Sequence, residues 1–99
     1  MEGKNFKKYQ LDDSDFKFQM NGEEFKFIRE RYGLSRRQLG EFAGKLIGKQ
    51  VSSKTIYNWE LKKKLNYMQI HLLRNSMPPD MFDEARREWE NFTGILLNN

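Results

Sequence analysis

An all-α bundle of about five helices is the fold class predicted by this 99-residue sequence. Three observations predict it. Apolar residues recur at spacings of three and four through most of the chain after residue 20, the period of a helix with one buried face. A residue able to cap a helix N-terminus (Asn21, Ser35, Ser52, Asn66 or Asp80) precedes each periodic run. Glycine or proline punctuates the ends of most of them.

Asn21 caps the first helix, and Glu23 and Glu24 suit its positive N-terminal dipole. Phe25, Ile28 and Tyr32 share one face, and Gly33 stops it. Ser35-Arg36-Arg37-Gln38 is a capping box opening a second helix, whose apolar positions Leu39, Phe42, Ala43, Leu46 and Ile47 keep the helical period until Gly48. Ser52 caps a third, with Ile56 and Trp59 inward and Thr55 at the edge. After a basic connection, Lys62 to Lys64, Asn66 caps a fourth helix containing Met68, Ile70, Leu72 and Leu73. Pro78-Pro79 ends it, because the residue before a proline is pushed out of the helical region. Asp80 then caps a fifth, with Phe82, Ala85, Trp89 and Phe92 on one stripe and Gly94 as its expected C-cap. Residues 1–20 read differently: Tyr9-Gln10-Leu11 and Phe16-Lys17-Phe18-Gln19-Met20 alternate at period two, as an N-terminal arm or a short hairpin would. The expected organisation is thus an arm or hairpin (1–20), a helical domain (21–77) and a C-terminal helix (78–99).

Composition excludes much. The length is too short for a barrel enzyme or a doubly wound nucleotide-binding fold. Cysteine is absent, so no disulfide, thiolate metal site or cysteine nucleophile exists. His71 is the only histidine and lacks a partner to complete a catalytic or metal site. No enzyme activity, cofactor or metal is therefore expected. The longest apolar runs are three residues, such as Ile95-Leu96-Leu97, too short to span a membrane. The N-terminus has no apolar signal core, so the cytoplasm is the expected compartment.

The formal charge of +4 is unevenly placed. Residues 31–64 hold nine basic side chains against Glu41 and Glu60, a net of +7, which leaves −3 for the rest. Excess positive charge in the middle third suits a polyanionic partner.

Two consecutive short, capped, amphipathic helices outline a helix-turn-helix. Ile28-Arg29-Glu30-Arg31-Tyr32-Gly33-Leu34-Ser35, then Leu39-Gly40, then Val51-Ser52 with Thr55-Ile56 and Trp59-Glu60 resembles the Xre/Cro family of lambda-repressor-like DNA-binding domains. The resemblance covers about residues 21–75. It implies a third helix lying in the DNA major groove, and a buried ion pair between Arg29 and Glu60 that locks the first helix to the end of the third. Gly40 would sit where two helices approach closely, over a small core of Leu34, Leu39, Val51, Ile56 and Trp59. With Ile56 and Trp59 inward, helical geometry turns Ser53, Lys54, Tyr57 and Asn58 outward as the candidate base readers. Lys54 suits guanine and Asn58 suits adenine. Arg36 and Arg37, at a helix N-terminus, and Lys62, Lys63 and Lys64, beyond the third helix, are the candidate phosphate contacts.

Two departures stand out. Lys45-Leu46-Ile47-Gly48-Lys49-Gln50 intervenes where many relatives have nothing, so the second helix is expected to run on by about a turn and alter the docking angle. The usual glycine after Trp59-Glu60 is absent, so Leu61-Lys62-Lys63 is expected to be helical or strained.

The expected function is sequence-specific binding of double-stranded DNA as a homodimer, in a transcriptional regulator, most simply a repressor. Phe82, Ala85, Trp89 and Phe92 are the candidate dimer face; the competing reading makes them ordinary core. An antitoxin that holds a toxin partner, or a helix-turn-helix interaction module without DNA binding, are the alternatives. RNA binding is less favoured, because no aromatic stacking platform is evident.

Overall fold

The structure, a computed structural model, describes residues 19–98, with side chains as far as Gly94. Five helices follow in order: α1 (Gly22–Tyr32), α2 (Arg36–Ile47), α3 (Ser53–Glu60), α4 (Tyr67–Asn75) and α5 (Pro79–Asn98). No strand occurs among the described residues. The expected arm or hairpin falls almost wholly on residues 1–18, outside the described residues; its end, Met20, is buried in the core.

The helix starts follow from short-range chemistry. Asn21 Oδ1 accepts from the Glu24 amide at 2.8 Å. Ser35 and Gln38 form both bonds of a capping box, as do Asn66 and Gln69. Ser52 Oγ accepts from the Thr55 amide at 3.1 Å. Gly33 (φ 90°) and Gly48 (φ 76°) end α1 and α2 in the left-handed conformation that glycine adopts without a Cβ clash.

Three expectations are corrected. Asp80 does not cap α5: the helix begins at Pro79, whose missing N–H suits the first helical position, and Asp80 falls within the first turn. Gly94 is no C-cap, for α5 runs through it to Asn98 without positive φ; Leu96 and Leu97 are good helix formers that continue it. Leu61 to Lys63 is neither helical nor strained. Leu61 ends α3 in a right-handed cap (φ −93°, ψ −3°), and no non-glycine residue described has positive φ.

The core draws on every helix: Phe25 and Ile28 from α1, Leu39 from α2, Ile56 from α3, Ile70 and Leu73 from α4, Phe82 and Ala85 from α5. Burial of each large side chain stabilises the fold by about 1.5–3 kcal/mol relative to exposure. Leu34, Val51 and Trp59 pack against this core partly buried. The ring of Trp59 meets Phe25 edge-on at 6.1 Å.

The stripe on α5 divides. Phe82 and Ala85 are buried within the chain's own core, so neither can form a dimer face. Trp89 is half-buried, 5.4 Å from the Phe27 ring of α1 and 6.1 Å from Phe92. Phe92 alone of the four is exposed, at 53%. Arg31–Glu88 and Arg86–Glu24 ion pairs add to the α1–α5 contact. No described helix is long and apolar enough to cross a membrane.

Candidate nucleic-acid interface

The surface of interest is built on α2, α3 and the chain between them. α3 is two turns long. It buries Ile56 and Glu60, half-buries Trp59, and exposes Ser53, Lys54, Tyr57 and Asn58. Its inward face is thus fixed by one isoleucine, one indole and one carboxylate, and its outward face is wholly polar or aromatic.

Glu60 is the anchor. Arg29 Nε donates to Glu60 Oε2 at 2.7 Å, and Arg36 Nε donates to Oε1 at 2.9 Å. Arg29 Nη1 also donates to the Leu34 carbonyl at 2.7 Å, spanning the turn between α1 and α2. One carboxylate therefore holds the end of α3 to α1 and to the start of α2. Two donors on one buried carboxylate satisfy its charge, which is what makes its burial tolerable.

Arg36 has a second partner, since its guanidinium carbon stands 5.0 Å from the centre of the Tyr57 ring. This cation–π contact joins a candidate phosphate contact to a candidate base reader. Arg36 is thereby held in place, its Nε committed to Glu60. Arg37 differs: its side chain is 82% exposed and, among the described residues, paired only with Glu41, one turn on, at 3.3 Å.

Lys62, Lys63 and Lys64 are exposed on the connection after α3. The backbone fixes that connection. The Gly22 amide donates to the Lys62 carbonyl at 2.8 Å, and the Leu65 amide to the Met20 carbonyl at 2.9 Å. A Cβ at Gly22 would collide with the Glu60 carbonyl, so only glycine lets α1 begin against the end of α3. Lys62 Nζ reaches Gln69 Oε1 at 3.4 Å; Lys63 and Lys64 form no ion pair among the described residues.

Residues 45–50 comprise the end of α2 and the tight reversal that follows it. α2 runs to Ile47, and the chain reverses at Gly48, whose amide and that of Lys49 both donate to the Gly44 carbonyl, at 2.8 and 3.1 Å. The returning backbone crosses α2 closely. A Cβ at Gly40 would stand 2.5 Å from the Val51 carbonyl oxygen, and one at Gly44 would stand 2.7 Å from that of Lys49. Beside this crossing lies an open groove of about 550 Å³.

Four features of this surface escape a sequence reading: the approach at Gly22, the paired use of Gly40 and Gly44, the second arginine on Glu60, and the groove. Only the Gly40–Gly44 spacing of one helical turn signals itself in the sequence. Among the described residues no group of three or more His, Asp or Glu side chains could hold a metal ion. Comparison with protein-family models, curated proteins and solved structures gives no match.

Proposed function

We propose that the chain binds double-stranded DNA as a transcriptional regulator, with α2 and α3 acting as a helix-turn-helix and α3 entering the major groove. The observation that carries the reading is the division of α3: a face tied down by Ile56 and Glu60, and an opposite face of Ser53, Lys54, Tyr57 and Asn58 free to meet base edges. Exposed cations lie near both ends of α3, Arg37 sharing a groove with Ser53 at its start and Lys62 to Lys64 following its end in the chain, where phosphate contacts would fix register. Lys54 reads guanine and Asn58 reads adenine, while Tyr57, braced by Arg36, contacts a thymine methyl or a phosphate.

One eight-residue helix offers few base contacts. The protein therefore acts as a homodimer on half-sites roughly 34 Å apart, and represses by occluding polymerase. Phe92 is the exposed aromatic residue of α5 available to the second copy.

The test is a fluorescence-anisotropy titration against genomic fragments over a series of salt concentrations. DNA binding weakens steeply as salt rises, because each neutralised phosphate releases counterions. Absence of binding at low salt refutes the proposal.

A further inference from the structure

The inserted residues form the side of the groove beside α3, and their charge suits an anion. Arg37 and Lys45 stand two turns apart on α2, with Glu41 between them; Lys49, Ser52 and Ser53 face them from the returning chain. Three cations thus oppose one carboxylate, and that carboxylate is already paired with Arg37. Lys45 and Lys49 are exposed and enter no ion pair among the described residues.

The groove is also pre-formed. Its wall is backbone laid on Gly40 and Gly44 and tied by two hydrogen bonds to the Gly44 carbonyl, so the start of the Lys49 side chain is fixed by packing. It is continuous with the proposed interface, for Arg37 and Ser53 belong to both. A shallow trough beside the outward face of α3 fits a passing sugar–phosphate strand better than an enclosed small ligand.

We propose that this groove is a second backbone-binding contact, in which Lys45 and Lys49, with Arg37, hold the DNA phosphates beside the bases that α3 reads. This rests on the DNA-binding reading. It gives the insertion a function: the longer turn adds phosphate contacts on the α2 side that a short turn would lack.

Random-sequence duplex DNA, labelled with fluorescein, is a sufficient probe, because phosphate contacts ignore sequence. Affinity is measured against salt for the wild type, K45A/K49A and E41Q, with circular dichroism as a check on folding. The expected result for K45A/K49A is weaker binding and a plot of log affinity against log salt shallower by about two. For E41Q, which removes the carboxylate facing the phosphates, affinity rises about two- to fivefold. Wild-type binding with unchanged affinity and slope in K45A/K49A overturns the groove and leaves the DNA-binding reading standing. No wild-type binding at low salt overturns both. Should the double variant not fold, E41Q decides alone, and unchanged affinity there overturns the groove.

Discussion

Arg29 and Glu60 form the most buried ion pair of the described chain, Nε to Oε2 at 2.7 Å, with side chains 6% and 2% exposed. Glu60→Ala leaves the Arg29 guanidinium buried without its counter-charge and is expected to cost about 3–5 kcal/mol in urea unfolding. Arg36→Ala, at a third-exposed site and with Arg29 still in place, is expected to cost about 1 kcal/mol. The apolar pair Arg29→Met with Glu60→Leu is expected to recover most of the loss. Equal costs for the two single substitutions would contradict this ranking.

Gly22 and Gly94 should respond to alanine in opposite directions. Gly22→Ala drives a methyl into the Glu60 carbonyl and is expected to destabilise by at least 1–3 kcal/mol. Gly94 lies inside α5 with nothing within 4 Å of an added Cβ. There alanine is expected to raise stability by about 0.5–1 kcal/mol, through helix propensity. Thermal melts of the two variants check both signs.

Two carboxylates on the α1–α5 contact should give opposite pH dependence. Burial raises Glu24 above the ordinary carboxylate value, against the nearby Arg86. The folded state therefore binds its proton more readily, and its contribution improves as pH falls from neutrality toward 4.5. Glu88, hydrogen-bonded by Arg31, is lowered, so its contribution is present above 4.5 and lost as pH falls through the folded value. Glu24→Gln is expected to lose stability more steeply than wild type on acidification, and Glu88→Gln less steeply. Urea midpoints from pH 7 to pH 3 would reveal it; parallel profiles for all three proteins would rule it out.

Lys54→Ala and Asn58→Ala should act on sequence preference. Each is expected to cost about 1–3 kcal/mol on the preferred site and little on unrelated DNA. Competition titrations with the two kinds of duplex separate this outcome from a uniform loss, which would make both residues phosphate contacts.

Phe82→Ala removes a ring from the core and is expected to cost about 3–5 kcal/mol. Phe92→Ser, at an exposed ring, is expected to leave stability nearly unchanged while shifting a sedimentation profile toward monomer. An unchanged profile from a dimeric wild type would place the dimer contact elsewhere.

What the sequence made legible is chemistry settled within one turn of chain. Asn21, Ser35, Ser52 and Asn66 cap where their own side chains reach the third amide onward. Gly33 and Gly48 stop helices because they alone take the required dihedrals cheaply. At Asp80 two local preferences compete, and the proline at the first helical position prevails over the aspartate cap. The face of α5 was only half legible: Phe82, Trp89 and Phe92 share one periodic stripe, yet what covers each depends on where α1 and α4 lie. The second bond of Glu60 was hidden for the same reason. Arg36 lies 24 residues away, and its charge alone fits a phosphate as well as a carboxylate. The outward side chains of α3 followed once Ile56 was known to be inward, since helical spacing leaves them no other direction.

The three close backbone crossings, at Gly22, Gly40 and Gly44, divide the molecule by how freely its residues can be exchanged over generations. Where one carbonyl rests on another residue's bare Cα, even a methyl group is too much, and drift at those positions is closed. On the outward face of α3, Tyr57 stacks with Arg36, whereas Ser53, Lys54 and Asn58 are exposed and can change together with whatever they touch. Distant descendants of this chain would therefore share three glycines, while differing freely at the exposed positions of α3.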